Sequence, residues 1–449
     1  MSNIISNKVL PKFRNQLPSI WITINKIVAK ENPINLGQGF PDYQSNSHIT
    51  QSLADVAFAG NSFHQYAKAG GHPRLVNVLA KLYSPSLNRQ INPDEEIIVS
   101  VGAYGSLYYS INALVGPNDE AIIIEPFFDC YQPMVETNGG VAKFVPYRLP
   151  KENSEKLLTS SDLILDENEL RESITSKTKV IIINTPNNPN GRVMGPKELQ
   201  MIANICNEFD LICIADEVYE WLVYPQNKHI KIASYSGMWE RTITIGSIGK
   251  TLSVTGWKLG WSIGPAHLIR GLQMVSQNCI YNCATPLQEA AARSLEIELD
   301  LLGTPKSYFS NFSIELVGKR DRMVKELIKI GFKPIIPDGG YFILADFSDL
   351  SYFNFFDWSF NFIIVNITVS DKFREDAKAQ KIALDFYFND WMIKNMKVSG
   401  IPNSCFYSKP HESIAENFIR FCFFKADETL ESAFNAFRNW KLSNGDHKI

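Results

Sequence analysis

The chain has 449 residues, 45% hydrophobic and 20% charged, with a formal net charge of −3. That length exceeds one ordinary compact core, so two or more packed units are expected, with a globular rather than disordered balance. The near-neutral charge argues against the strongly basic face of a nucleic-acid or membrane-surface protein.

The N-terminal stretch carries Lys8, Lys12, Arg14, Lys26 and Lys30 with no acid before Glu31. It faintly resembles a mitochondrial transit peptide, so the cytosol is the default expectation and the mitochondrion the alternative. From about residue 97 to 265, short β-rich runs alternate with stretches long enough for helices. The runs are Ile97–Val101, Ala121–Pro126, Val180–Thr185, Leu211–Asp216, Thr242–Gly246 and Lys258–Gly264. Most are continuous and apolar, as for strands buried on both faces, which implies an α/β domain with a mostly parallel sheet. Helices are predicted over Gly105–Leu114 and Pro196–Asn207. After about residue 297 the pattern becomes α+β: a helix Ile314–Ile330, a strand Gly340–Asp346, a helix near Asp390–Lys397, a strand Phe418–Phe424 and a helix Asp427–Trp440. The expected organisation is an N-terminal arm (1–27), a large domain (45–296) and a small domain (28–44 with 297–449).

The most apolar run, 360–369, is about half a bilayer span and contains Asn361 and Asn366, so no transmembrane helix is expected. The seven cysteines are scattered, odd in number and without a C-x-x-C pair. They read as reduced thiols, and no metal site is expected.

The most informative segment follows the run at 242–246. Ser247, Gly249 and Lys250 form a small-residue turn, and Lys258 lies eight positions beyond Lys250. A lysine amine on such a turn can form an imine with an aldehyde cofactor, while Ser247 and Lys258 bind a phosphate. A lone lysine is more often a solvated surface group, so its company decides. Asp216 closes an apolar strand, where α/β sheets place ligands, and a carboxylate there can pair with a protonated pyridine nitrogen. Tyr219 and the turn residue Asn188 can both reach the ring's phenolic oxygen. Val101-Gly-Ala-Tyr-Gly-Ser-Leu107 joins a strand to a helix whose free N–H groups would attract a phosphate. It matches neither nucleotide-binding glycine pattern. Arg420 is a charge inside an apolar strand. It is either half of a structural ion pair or a bidentate clamp for a substrate carboxylate.

Together with Asn35-Leu-Gly-Gln-Gly-Phe-Pro-Asp42, Gln65-Tyr66, Glu125-Pro-Phe-Phe-Asp-Cys-Tyr131 and Trp391-Met-Ile-Lys-Asn395, these segments resemble the class I/II aminotransferases of fold type I. Among them the sequence is most similar to the kynurenine aminotransferases, also described as glutamine transaminase K and cysteine-S-conjugate β-lyase. The resemblance implies pyridoxal 5'-phosphate as cofactor, with Lys250 as its Schiff-base lysine and proton shuttle. Asp216 would pair with the pyridine nitrogen, Asn188 and Tyr219 with the phenolic oxygen, and Phe128 would stack on the ring. Ser247, Lys258 and the amides around Ala103 and Tyr104 would hold the phosphate, joined by Tyr66 from a partner subunit. Gly39, Asn188 and Arg420 would hold the substrate carboxylate, with Trp21 and Tyr104 lining the side-chain pocket. An L-amino acid and a 2-oxo acid, ping-pong kinetics and a homodimer follow.

Two departures stand out. Tyr281-Asn282 replaces a Phe-His pair that the resemblance places in the neighbouring subunit's substrate pocket, so that pocket is differently polar. The stretch 350–390 is also about twenty residues longer than the resemblance leads one to expect. Its aromatic centre, 351–369, reads first as an added piece of chain with no role, such as a retained intron, and otherwise as a lid or a dimer contact. Competing functions are β-elimination from cysteine conjugates, which shares every step up to the carbanion, and a non-catalytic sensor or scaffold. A sensor with a DNA-binding module would need a basic domain ahead of Trp21. A scaffold has no need for Lys250, Asp216 and Arg420 together.

Overall fold

A computed structural model describes residues 8–14, 16, 19–150, 156–358 and 361–444, with side chains undescribed at 351–372 and 444. Seven strands form the larger sheet: β1 (Ile97–Ser100), β2 (Glu120–Glu125), β3 (Val141–Pro146), β4 (Thr178–Asn184), β5 (Ile212–Asp216), β6 (Thr242–Ser247) and β7 (Gly260–Ile263). Their spatial order is β1-β7-β6-β5-β4-β2-β3. β7 alone runs against the direction of the other six. Ile181, Ile182, Ile183, Cys213, Ile214 and Ala215 are all essentially inaccessible, which is why these strands read as unbroken apolar runs. Helices cover both faces. Among them Gly102–Leu114 (α1) follows β1 and Pro196–Glu208 (α2) joins β4 to β5, with Pro196 at its first position.

The smaller sheet contains β8 (Lys333–Ile335), β9 (Phe342–Asp346), β12 (Ile401–Pro402) and β13 (Phe418–Cys422), in the order β12-β13-β9-β8 and antiparallel throughout. The helix Tyr308–Ile330 packs beside it, stopped by Gly331 at φ 117°. Ile34–Asn35 pairs with Val398–Ser399, so the segment that carries Gly37 and Gly39 is tied to the later part of the chain.

The departures from the predicted elements have local causes. Strand β3 was not predicted: it is an edge strand whose first residues, Val-Ala-Lys, are exposed or half-buried, so it lacks an apolar run. The helix expected from Ile314 begins at Tyr308, because Phe309 and Phe312 bury one helical face across Ser310 and Asn311. The helix expected near Asp390 spans Leu384–Met396, starting on the buried pair Leu384 and Phe388. Within the long stretch, β10 (Ser351–Trp358) and β11 (Asn361–Thr368) form a two-stranded antiparallel ladder in which Ser351 faces Thr368 and Trp358 faces Asn361. The side chains behind its aromatic reading, and residues 359–360, lie outside the described residues. So do residues 1–7 of the N-terminal arm. Among the described residues no helix is long and apolar enough to cross a membrane.

Candidate active site

The parallel strands end on one side of the sheet, and the chemistry-bearing residues collect there, where open α/β sheets place ligands. Asn184 and Asp216 are the last residues of adjacent strands and sit side by side in register. Lys250 lies within the short helix Ile248–Thr251, which directly follows Ser247, the last residue of β6. These elements and the N-terminus of α1 enclose a cavity of ≈ 320 Å³. Its walls include Trp21, Gly39, Ala103, Tyr104, Phe128, Asn188, Asp216, Tyr219, Ser247, Lys250, Lys258 and Arg420. Twelve of the fifteen predicted site residues therefore meet in one place.

Asp216 forms the acidic wall. It is 4% exposed, and its Oδ2 accepts a hydrogen bond from Tyr131 Oη at 2.6 Å. Burial pushes its carboxyl up to about 6, against the pull of Tyr131 and the Val218 amide. The next turn is held by Asn184, whose Nδ2 donates to the Asp216 carbonyl at 2.9 Å and whose Oδ1 accepts from the Asn188 amide at 2.8 Å. Asn188 Oδ1 in turn accepts from Arg420 Nη1 at 2.7 Å. Since a guanidinium only donates, that contact fixes the amide and frees Asn188 Nδ2 as a donor toward the cavity. Burial raises the Tyr219 phenol, which keeps it a donor as well.

Arg420 is 1% exposed, yet among the described residues no carboxylate lies within 4 Å of it. Its Nη2 donates to the Gly37 carbonyl at 2.8 Å, and Nε has no partner. The rings of Phe342, Phe406 and Trp21 lie 4.0, 4.9 and 5.5 Å from its charge centre. The ion-pair reading of Arg420 is therefore not met among the described residues. A desolvated guanidinium faced by neutral oxygens and π-faces is a site for an incoming carboxylate.

Lys250 Nζ donates to Tyr341 Oη at 2.7 Å and lies 3.4 Å from the Gly39 carbonyl. Burial lowers its amine to about 8, helped by the positive fields of Arg420 and Lys258 and opposed by Asp216. A lysine so placed is unprotonated often enough near neutral pH to act as nucleophile and base.

The remaining wall suits a phosphate. Gly102 adopts φ +65° at the start of α1, leaving the first amides of that 13-residue helix free beside Ser247 and Lys258. A Cβ at Gly260 would sit 2.5 Å from Gly102 C and 2.6 Å from Ala103 N, so this close packing requires glycine. Three cations against one acid, with a helix N-terminus, match an anionic ligand that carries a second charged group. The buried acid, the amide and phenol donors, the phosphate cradle and the reactive lysine fit pyridoxal 5'-phosphate.

The pattern of class I and II aminotransferases matches residues 31–437. The chain belongs to this family. It is a pyridoxal-phosphate-dependent aminotransferase of fold type I. It is 48% identical to mouse kynurenine–oxoglutarate transaminase 3, over 97% of this chain and 92% of that protein. It is 40% identical to human kynurenine–oxoglutarate transaminase 1, over 94% and 96%. Among solved structures, Bna3p of Saccharomyces cerevisiae superposes with a TM-score of 0.85 at 31% identity, covering 96% of this chain and 99% of that one.

Three predicted residues lie outside the cavity of a single chain. Tyr66 is 84% exposed and Tyr281 is 53% exposed; their rings meet edge-on at 5.9 Å. Asn282 Nδ2 donates to the Ala67 carbonyl at 3.2 Å. Other cavity residues, notably Val218 and Phe342, were not predicted, nor were Tyr131 and Tyr341, which stand behind the wall and hydrogen-bond Asp216 and Lys250. Tyr131 stood in a quoted motif, and Tyr341 follows a Gly-Gly pair that could have marked a close approach. Behind the site, Lys231 Nζ bridges Glu217 at 2.8 Å and Glu220 at 2.5 Å. Burial alone would raise the Glu217 carboxyl, but Lys231 and His229 outweigh it and hold it at about 2. The acid–histidine group Glu217, Glu220 and His229 is thus already occupied by an ammonium.

Proposed function

We propose that this aminotransferase moves the amino group of L-kynurenine, or of an amino acid of similar shape, to 2-oxoglutarate. The kynurenine–oxoglutarate transaminases that it resembles over nearly their whole length support the substrates. The observation that carries the reading of the site is Arg420, buried without a carboxylate partner among the described residues, in the cavity that also holds Asp216 and Lys250. When bound, pyridoxal phosphate supplies an electron sink for the negative charge that develops at the substrate's Cα. Arg420 and Asn188 hold the substrate carboxylate, with Gly39 beside them. Lys250 carries the covalent attachment and then moves the proton to and from Cα. Asp216 holds the ring nitrogen, and Tyr219 and Asn188 donate to the ring oxygen. Ser247, Lys258 and the amides at Ala103 and Tyr104 hold the phosphate, Phe128 packs on the ring, and Trp21 and Tyr104 border the substrate side chain.

A homodimer completes this reading. Phe58, Tyr66, Met274, Ile280 and Tyr281 leave large apolar groups exposed, which a second copy would cover. That copy would supply Tyr66 toward the phosphate and Tyr281 and Asn282 toward the substrate side chain. An amino-donor panel with purified, cofactor-loaded protein tests the substrate: kynurenine, glutamine, methionine and phenylalanine, each with 2-oxoglutarate. Glutamate formed in step with kynurenine loss supports it. No glutamate from kynurenine while another donor turns over would refute it.

A further inference from the structure

Resting on the reading of Lys250 above, we infer that Tyr341 is the dock for the Lys250 amine whenever that amine is not bonded to the cofactor, and that it sets where the amine's lone pair points. Tyr341 is 1% exposed and stands one residue before β9. Its ring is fixed from several sides. Tyr219 meets it edge-on at 5.1 Å, while Phe342 and Phe424 lie at 4.7 and 5.1 Å. Gly340, at φ +69°, donates its amide to the Leu222 carbonyl at 2.7 Å and anchors the turn that delivers the ring.

Beside the Tyr219 phenol, the hydroxyl makes contacts of opposite sense with Gly39 and Lys250. It donates to the Gly39 carbonyl at 3.0 Å and accepts from Lys250 Nζ at 2.7 Å. A phenol has one proton, and a carbonyl can only accept. With that proton committed to Gly39, Tyr341 can face the amine only as an acceptor. A neutral Lys250 therefore spends an N–H on Tyr341 and keeps its lone pair for the α-proton. In that step the amine gains the proton, and the C–H electron pair stays with the substrate. Gly39 lies two residues from Gly37, whose carbonyl holds Arg420. The carboxylate clamp and the base are thus anchored on one short loop, with Tyr341 as the link. A Cβ at Gly39 would come 2.5 Å from Phe342 Cζ, so this approach depends on glycine. Tyr341 is a positioning residue, distinct from the groups that grip the cofactor. If it only filled space, Phe would serve as well.

The test uses Tyr341→Phe, which keeps the ring and removes the acceptor. In cofactor-free protein, the pH dependence of Lys250 modification by an amine-directed reagent is read by peptide mass; the wild-type midpoint is expected near 8. An acceptor favours the ammonium over the amine, so the variant's midpoint should fall by about half a pH unit or more. In loaded protein, borohydride should still fix the cofactor on Lys250. The single-turnover reaction with an amino acid should slow about tenfold or more, with a larger α-deuterium effect and saturation by the amino acid nearly unchanged. An unmoved midpoint overturns the dock, whatever the rate does. Absence of the Lys250 adduct in the wild type would instead sink the reading of the site. Should the Phe variant fail to fold, 3-fluorotyrosine installed at 341 keeps the hydroxyl but makes it a poorer acceptor. It should move the midpoint in the same direction by less, and no movement again overturns the proposal.

Discussion

Asp216→Asn should make the cofactor-free protein more stable while weakening its hold on the cofactor. The carboxyl of Asp216 is carried by burial from an ordinary 3.8 to about 6. At about 1.4 kcal/mol for each tenfold, keeping it ionised in the folded chain costs about 3 kcal/mol. Because the folded value lies above the unfolded one, the stability it contributes is full below pH ~4 and lost as pH rises through about 6. Asparagine removes the charge and still accepts from Tyr131. The substitution should therefore stabilise the cofactor-free protein by about 3 kcal/mol at pH 7.5 and by roughly half that at pH 5. Urea midpoints of the two proteins at both pH values measure the gap, and a parallel titration with pyridoxal phosphate measures the loss of affinity. A gap that is absent at pH 7.5, or the same at both pH values, would refute the reasoning.

Three further outcomes follow from particular contacts. Arg420→Lys loses two-pronged recognition of a carboxylate, so KM for the amino donor should rise about a hundredfold while the visible cofactor band stays; steady-state kinetics and an absorbance spectrum check this. Gly260→Ala drives a methyl into Gly102 and Ala103, so pyridoxal-phosphate affinity should drop at least about tenfold, as read by equilibrium dialysis. Removing 351–369, whose strands pair only with each other among the described strands, should leave turnover within about twofold. A folded deletion variant without activity would assign that hairpin a role.

How much of this was legible depended on how locally each feature is encoded. The buried parallel strands announced themselves because Ile181–Ile183 and Cys213–Ala215 need apolar residues on both faces. Strand β3, at the sheet edge, has no such need and left no pattern. Asp216, Asn188 and Lys250 were readable because each sits at a strand end or in a turn of unusual composition. Tyr341 was not, since its importance lies in a contact with Lys250 from 91 residues away. The same holds for Tyr131, which reaches Asp216 across 85 residues. Arg420 was ambiguous in sequence between an ion pair and a clamp. The neutral partners Asn188 and Gly37, and the partnerless Nε, favour the clamp. Tyr66, Tyr281 and Asn282 lie outside the cavity of one chain, so their roles depend on a second copy.

Every role assigned to the site depends on Lys250 holding the cofactor. Borohydride reduction of the loaded protein, followed by peptide mapping, tests it most directly. The visible band should be lost, the reduced cofactor should appear on the peptide bearing Lys250, and Lys250→Ala should give no adduct. An adduct on Lys258 or another lysine, or a reducible band that persists in Lys250→Ala, would contradict it.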